Sequence, residues 1–385
     1  MSAARIFADH AAGSAVRTEV ADLLADLYRD GIGNPNGGHA EARRSRAVLD
    51  EARATIADAL GVESRQVTFT ASASEALALA LGSELRADGR LITTATEHRG
   101  ARALAQRHEA AGGTVQLIPV DGCGTWKLAS LDVQGAVGLL TIASGELGVR
   151  QPLSDVERAW GSAEGGALIL DGVQAAAASP LNFSDLGATH LVIGSAKVEG
   201  PAGMAALISA PERRIRSLVA GGGQERGRRG GTEAVPLAAA FARAYVLMMK
   251  ERDATARHLT ELGEAFDAAL GDLTRHGLVP TGPVAGALRL PGHRSYAADW
   301  ALGDDLVAAL DHAGLAVSTG SACISGSREP SEALAACGLS AAASRGGIRI
   351  SFGRTNHRDE AQRAAAIVAE TCARVRSRFT AGASA

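Results

Sequence analysis

Aromatic residues, cysteines and long apolar runs are all scarce in this sequence of 385 residues. Phe, Trp and Tyr together make up only 3% of it, and no apolar run approaches the roughly 20 residues that span a bilayer. The first ten residues also lack the basic and then apolar pattern of a secretory signal. These absences argue against a membrane or secreted protein, and we expect a cytoplasmic one.

The cysteines and the charge balance narrow the class of protein further. The four cysteines, Cys123, Cys323, Cys337 and Cys372, show neither a C-x-x-C spacing nor the density of a disulfide-stapled domain. We therefore expect free thiols in a reducing compartment, and no metal site. The 39 Lys and Arg residues nearly balance the 42 Asp and Glu residues, and a net charge of −3 argues against general nucleic-acid binding.

Short aliphatic runs alternate with helical stretches through the first half of the chain, which predicts an α/β fold. The predicted strands are Val67–Thr70, Leu91–Thr94, Val115–Pro119, Val137–Ala143, Ala167–Leu170, Leu191–Gly194 and Ala205–Ile208. Helices are predicted between most of them, for example Ser74–Leu85, Ala101–Ala111 and Asp155–Ser162. Such alternation is typical of a mostly parallel sheet covered by helices on both faces.

After Gly231 the pattern changes to that of a smaller α+β unit. A long helix is predicted over Ala234–Met249, continuing into Ala254–Leu270, and it is followed by predicted strands at Gly286–Leu290, Ala316–Ser318 and Gly347–Ser351. We therefore predict a large domain of residues 15–250. A small domain would combine residues 1–14 with 251–385 and carry Cys323.

Lys197 and Asp171 follow two successive predicted strands. In a parallel sheet, strands that end this way bring their terminal side chains to the same edge. An amine and a carboxylate placed together are what pyridoxal phosphate requires, since lysine bonds to its aldehyde and an acid keeps its ring nitrogen protonated. Taken singly, Asp171 is more often a helix cap and Lys197 an ordinary surface lysine. Their pairing favours the cofactor site.

Three further features lie at the same predicted edge. The helix after Val67–Thr70 opens with a capping box, Ser72-x-x-Glu75, and its first amides, at Ala73 and Ser74, can hold a phosphate. Most capping boxes are only structural, so the position of this one carries the argument. Gln174 can contact the phenolic oxygen of the cofactor. His98 can stack on its ring and move protons, although a surface histidine is the plainer reading.

Two candidate residues come from the second half of the chain. Cys323 lies in a loop of small residues after a predicted strand, where a thiol is free to react rather than to pack. Arg349 alternates with aliphatic residues on a predicted strand and can clamp a substrate carboxylate. A salt bridge between strands is an equal alternative for Arg349. The glycine-rich basic loop 221–232 is either a solvated or RNA-binding loop or a phosphate contact across a dimer.

Together these motifs resemble those of the cysteine desulfurases within the fold-type I pyridoxal-phosphate enzymes. The resemblance extends over roughly residues 6 to 375. It rests on Gly33-Asn34-Pro35 with His39, Thr96-Glu97-His98, Glu146 to Val149, Asp171-x-x-Gln174, Lys197, Gly221 to Arg226, Arg229-Gly-Gly-Thr232, Ser321-Ala-Cys323 with Glu329-Pro330-Ser331, and Ile348-Arg349 to Arg354. The length of the cysteine loop is similar to that of the branch whose cysteine loop is mobile and passes sulfur to partner proteins.

The resemblance implies a reaction and a set of roles. L-cysteine would be converted to L-alanine, with Lys197 and His98 moving protons and Arg349 fixing the substrate carboxylate. The Cys323 thiolate would take the sulfur as a persulfide and pass it to an acceptor protein, for iron–sulfur clusters or thio-modification. Thr232 would complete the cofactor site of a neighbouring subunit, which implies a homodimer.

The chain departs from the family at three places near the predicted site. Gly194-Ser195-Ala196-Lys197 stands where the family has Ser-Gly-His-Lys, so a histidine and a serine contact to the phosphate are missing. We expect weaker binding of the cofactor unless Ser195 compensates. Gly145 stands where the family has Asn, and Ala12-Gly13-Ser14 replaces Ala-Thr-Thr. Two alternatives therefore remain open: another pyridoxal-phosphate lyase or aminotransferase acting on an amino acid, or a non-catalytic paralogue in sulfur trafficking.

Overall fold

The computed structural model describes residues 5–31, 33–128, 131–161, 165–286, 288–320 and 329–382. Its strands are β1 Ile6–Phe7, β2 Val67–Thr70, β3 Arg90–Thr94, β4 Thr114–Ile118, β5 Val137–Thr141, β6 Ala167–Asp171, β7 His190–Gly194, β8 Ala205–Ser209, β9 Val279–Pro280, β10 His293–Ala297, β11 Leu315–Ala316 and β12 Gly347–Ser351. Its α-helices are α1 Thr18–Arg29, α2 Ala40–Leu60, α3 Ala73–Glu84, α4 Arg99–Ala110, α5 Leu153–Gly161, α6 Val235–Leu270, α7 Leu273–His276, α8 Gly303–His312, α9 Glu332–Ala336, α10 Ala341–Arg345 and α11 Arg358–Gly382.

Seven strands form the main sheet, in the order β2-β8-β7-β6-β5-β3-β4. The pairs from β4 to β7 are all parallel, and β8 alone runs antiparallel to both of its neighbours. Because side chains alternate along a strand, Ala167 and Ile169 of β6 pack under α3 and α4, whereas Leu168 and Leu170 pack against α2, α5 and α6. Both faces are therefore covered.

All seven strands predicted for the large domain are present, each within two residues of its predicted bounds. The α/β fold class is confirmed. The antiparallel direction of β8 was not predicted, because strand direction depends on the connection after Lys197 and not on the apolar run itself.

A smaller unit follows the long helix α6. The strands β12, β10 and β9 form an antiparallel sheet, and β1 pairs with β11. The strand predicted over Gly286–Leu290 is wrong. Gly286 has a φ of +89° and begins a turn that is closed by a hydrogen bond from the Arg289 amide to its carbonyl, at 3.1 Å. The strand forms instead at His293–Ala297.

Helix α6 joins two apolar cores. Its first half, from Val235 to Met248, packs into the core of the main sheet, and its second half, from Leu262 to Leu270, packs into the core of the smaller unit. Ile6 and Ala8 also lie in that second core. Leu290 packs against the first core, and a separate cluster joins Leu147 and Val149 to Ala297 and Leu334. The division at residue 250 therefore stays a prediction. Within the described ranges, no helix is both long enough and apolar enough to cross a membrane.

Candidate active site

A cavity of about 460 Å³ lies at the edge of the main sheet where the parallel strands have their carboxyl ends. The predicted site residues that line it are Ala73, Ser74, His98, Asp171, Gln174, Ser195, Lys197 and Arg349. Sheet topology explains the convergence, since β3, β5, β6 and β7 run in the same direction and end at one edge.

Asp171 and Lys197 reach the cavity from adjacent parallel strands. Asp171 is the last residue of β6, and Lys197 ends the 3₁₀ turn that follows β7. The Asp171 carboxyl group is buried and accepts a hydrogen bond from the Val173 amide at 3.0 Å. Burial raises its pKa, while the Val173 amide and the charges of His98 and Lys197 act in the opposite direction. The Lys197 ammonium donates a hydrogen bond to the Ala12 carbonyl.

His98 caps helix α4 and faces the same cavity. Its Nδ1 accepts a hydrogen bond from the Gly100 amide at 3.1 Å. Burial lowers its pKa against the opposing effect of the Asp171 charge. In the neutral ring this arrangement leaves the proton on Nε2. His98 can therefore present a donor to a group in the cavity.

Other residues that line the cavity are suited to hold an anion. Helix α3 begins at Ala73, and its first amides have no partners within the helix. The predicted capping box forms only in part: the Ser72 hydroxyl accepts from the Glu75 amide at 3.1 Å, but the Glu75 carboxylate accepts from the Ala71 amide at 2.7 Å. The Ser195 hydroxyl oxygen is fully buried and has no hydrogen-bond partner in the described ranges.

These observations fit pyridoxal phosphate. The cavity offers a lysine amine, a buried carboxylate, free amides at a helix N-terminus and one unpartnered hydroxyl. An anionic group with a flat ring and an aldehyde would use each of them.

Arg349 projects from β12 and is almost completely buried, with 3% of its surface exposed. Its Nη1 donates to the carbonyls of Gly145, at 2.9 Å, and Gly320, at 3.2 Å, and its Nη2 donates to Asp9 at 2.6 Å. Its Nε has no hydrogen-bond partner among the residues that the structure describes. The Nε–H and one N–H of Nη2 therefore remain to bind a carboxylate.

Comparison with known proteins decides the family. The model of the aminotransferase class-V family matches residues 6–364. This chain belongs to that family. Among its relatives are cysteine desulfurases from Bradyrhizobium diazoefficiens, 30% identical with 97% of this chain and 96% of that protein covered, and from Trichormus variabilis, 30% identical with 97% and 94% covered. They place this class-V chain among the cysteine desulfurases of the family.

Solved structures agree. A NifS-like protein superposes on this class-V chain with a TM-score of 0.86, 27% identity and coverage of 95% of this chain and 98% of that one. The structure of SspA in complex with cysteine gives a TM-score of 0.77 at 25% identity, with 91% and 99% covered.

The side chain of Gln174 lies directly beside the Cα atom of Gly145 in this class-V site. The Gln174 amide donates to the Ala11 carbonyl at 2.7 Å. A Cβ on Gly145 would lie 2.7 Å from the nitrogen of that amide. Gln174 thus fills the space beside position 145, and its predicted contact with the cofactor's phenolic oxygen stays a prediction.

Glu97 was part of a recognised motif but was given no role from the sequence. It lines the cavity, is buried, and accepts hydrogen bonds from the hydroxyls of Thr94, at 2.8 Å, and Thr141. Burial raises its pKa to about 8, with the Asp171 charge adding to the rise. It is therefore a neutral acid beside Asp171 at neutral pH. The threonines that end β3 and β5 were the sequence feature that could have indicated hydrogen-bond partners for a buried acid at this edge.

Two further predicted site residues, Cys323 and Thr232, are not among the described residues that line the cavity. Cys323 lies in 321–328, outside the described ranges, but Gly320 lines the cavity. Thr232 is exposed and does not line it. The loop before Thr232 is nevertheless tied to the start of α3, because Arg229 forms an ion pair with Glu75 at 2.8 Å. The role of Thr232 in a neighbouring subunit stays a prediction.

Proposed function

We propose that this protein is a pyridoxal-phosphate-dependent cysteine desulfurase, which converts L-cysteine to L-alanine and collects the sulfur on Cys323. The observation that carries the proposal is the pairing of Lys197 with Asp171 at adjoining strand ends, within a cavity that also contains a helix N-terminus. The cysteine desulfurases among its relatives support the same activity.

The residues that would hold the cofactor are distributed around the cavity. Lys197 would attach to its aldehyde carbon and Asp171 would hold the ring nitrogen protonated, while Ala73, Ser74 and Ser195 would contact its phosphate. His98 would cover the ring, and Gln174 would lie beside the phenolic oxygen. When bound, pyridoxal phosphate supplies a sink for the electrons released at the α carbon of an amino acid.

Lys197 and His98 would carry the protons of the reaction. The amine of Lys197, once released from the cofactor, can take a proton from the substrate's α carbon. His98, neutral with its proton on Nε2, can donate to or receive from a neighbouring group near neutral pH. Both groups line the same cavity, so neither needs a large movement to act.

Arg349 would fix the substrate carboxylate. Its Nε–H has no partner within the described part of the chain, Nη2 has a second N–H beyond the one bonded to Asp9, and the side chain is buried, which favours a bidentate bond to a carboxylate. Arg349 also forms an ion pair with Asp9. The two interpretations from the sequence, a salt bridge and a bond to the substrate carboxylate, are therefore compatible.

Sulfur transfer would take place at Cys323. The Cys323 thiolate would bond to the substrate sulfur as the carbon–sulfur bond breaks, leaving a persulfide on Cys323 and alanine as the product. A sulfur-acceptor protein would then attack the outer sulfur and restore the thiol. We also propose a homodimer in which Thr232 reaches the neighbouring cofactor site. The free thiols of Cys123, Cys337 and Cys372 support a cytoplasmic setting.

The proposal is tested by supplying the purified holoenzyme with L-cysteine and a reductant. We expect sulfide and alanine in equal amounts, and loss of both in Cys323→Ala. A matched control is Cys372→Ala, since Cys372 is buried in the core of the smaller unit. Unchanged turnover in Cys323→Ala would indicate a different lyase or aminotransferase instead. A colourless protein that forms no alanine would indicate a non-catalytic paralogue.

A further inference from the structure

His293 is a buried histidine that lies outside the predicted site and yet touches it. Its Nε2 donates a hydrogen bond to the Gly145 carbonyl at 3.0 Å. Burial, with the nearby positive charges of Arg349, Arg289 and Arg294 acting in the same direction, lowers its pKa to about 3, against the opposing effect of the Gly145 contact. The ring is therefore neutral and can donate only one hydrogen.

The Gly145 carbonyl is shared between His293 and Arg349. Arg349 Nη1 donates to the same oxygen at 2.9 Å. A carbonyl oxygen has two lone pairs, so the two donors together satisfy it. The register of the small sheet explains why both side chains reach it, because Ser295 pairs with Arg349 and His293 pairs with Ser351 across β10 and β12. His293 and Arg349 are diagonal neighbours on one face.

His293 also supports the other end of the same turn. A Cβ on Gly148 would lie 2.3 Å from Nδ1 of His293, so the ring packs directly on this backbone. Gly148 in turn donates to the Ser144 carbonyl at 2.9 Å. The turn from Ser144 to Gly148 is thus held at both ends by one imidazole.

This support matters because position 145 is glycine. A glycine has more backbone freedom than any other residue, so its peptide needs an external contact to keep one orientation. If the Gly145 carbonyl turned away, Nη1 of Arg349 would lose one of its two acceptors. The guanidinium would then be held only by the Gly320 carbonyl and by Asp9, so its remaining donors would be oriented less firmly.

We infer that His293 is a positioning residue for the substrate carboxylate: it holds the Gly145 carbonyl, which in turn orients Arg349. The inference rests on the proposed function, because it assumes an amino-acid substrate bound by Arg349. His293 itself is not among the described residues that line the cavity of about 460 Å³.

The test compares His293→Leu and His293→Gln in the holoenzyme. Leucine fills the space without a donor, and we expect the KM for L-cysteine to rise about tenfold while kcat stays within about twofold. Glutamine restores an N–H at a similar reach, so we expect most of the KM to recover. In His293→Asn the side-chain amide is too short to reach the Gly145 carbonyl, so we expect a KM similar to that of His293→Leu. This variant replaces His293→Leu in the test if the leucine variant does not fold.

Cysteamine, which is cysteine without the carboxylate, separates positioning from general damage. We expect its dissociation constant, measured by titration of the cofactor's absorbance, to be unchanged in His293→Leu while that of L-cysteine rises. Equal weakening of both ligands, or a fall in kcat alone, would overturn the inference, as would an unchanged KM.

A matched control is His108→Leu. His108 also binds a glycine carbonyl, that of Gly89 at 2.9 Å, and also packs on a glycine, Gly113, but it lies in α4 away from the cavity. We expect its KM to equal that of the wild type. If the wild-type enzyme itself produces no alanine from cysteine, the proposed function fails before His293 is tested.

Discussion

Gln174 occupies the space that any side chain on Gly145 would need. An ideal Cβ at position 145 would lie 2.7 Å from Nε2 of Gln174, which is bonded to the Ala11 carbonyl. We therefore expect Gly145→Ala to displace the Gln174 amide and to destabilise the fold by about 1 kcal/mol. Chemical unfolding of the apoprotein measures this loss.

A double-mutant cycle separates this clash from other effects. In Gln174→Ala the space is vacant, so adding Gly145→Ala should then cost much less, with a coupling of about 1 kcal/mol between the two positions. Additive costs would mean that the two residues do not compete for the same space.

Borohydride reduction of the holoenzyme should label Lys197 alone. The chain contains only three lysines, Lys127, Lys197 and Lys250, so peptide mass spectrometry identifies the attachment site directly. We expect no label in Lys197→Ala, and a loss of turnover of at least about 10²–10⁴-fold, since an acid–base group is removed as well. Lys250→Ala, the control, should be labelled as the wild type is. Label on Lys127 or Lys250 would refute the assignment of Lys197.

Glu97 should make the stability of the apoprotein depend on pH. Its pKa is raised from 4.5 to about 8, so between these values the folded state retains a proton that the unfolded state has lost. The free energy of unfolding should therefore fall as pH rises through this window, by about 1.4 kcal/mol per pH unit. In Glu97→Gln this contribution is absent.

Urea unfolding at several pH values between about 5 and 8 measures the effect. The difference between the wild type and Glu97→Gln should change steadily across the window, with the wild type losing relative stability towards pH 8. Parallel curves for the two proteins would show that Glu97 ionises with an ordinary pKa.

Arg53 and Glu225 form a buried ion pair that secures the loop before Thr232. Glu225 accepts from both Nη1 and Nη2 of Arg53 at 2.7 Å, and its carboxylate also accepts from the Phe69 amide at 3.0 Å. Glu225→Ala would leave the buried arginine without a charged partner, so we expect a loss of about 3–5 kcal/mol. Asp88→Ala, which breaks an exposed ion pair with Arg86, should cost less than about 1 kcal/mol. Similar losses of stability in the two variants would show that the buried pair of Arg53 and Glu225 contributes no more than an exposed ion pair.

Much of the site could be predicted because its residues follow strands. Apolar runs define β6 and β7 locally, and in a parallel sheet the residues that end such strands meet at one edge. Asp171 and Lys197 were therefore predictable as a pair, and His98 and Ser74 as their neighbours. The strand at Gly286–Leu290 was misplaced because an apolar run does not reveal the turn that Gly286 begins.

The amino-acid sequence determined the α/β architecture, the lysine–aspartate pair and the reactive-cysteine hypothesis, since each depends on local periodicity or on a position next to a strand. Tertiary structure alone decided the partners of Gly145, whose carbonyl binds residues 148 and 204 positions away. It also decided the protonation of Glu97, because desolvation comes from segments that fold around the carboxyl group. Such burial and long-range bonding arise only when distant parts of the chain meet, and no local pattern records them.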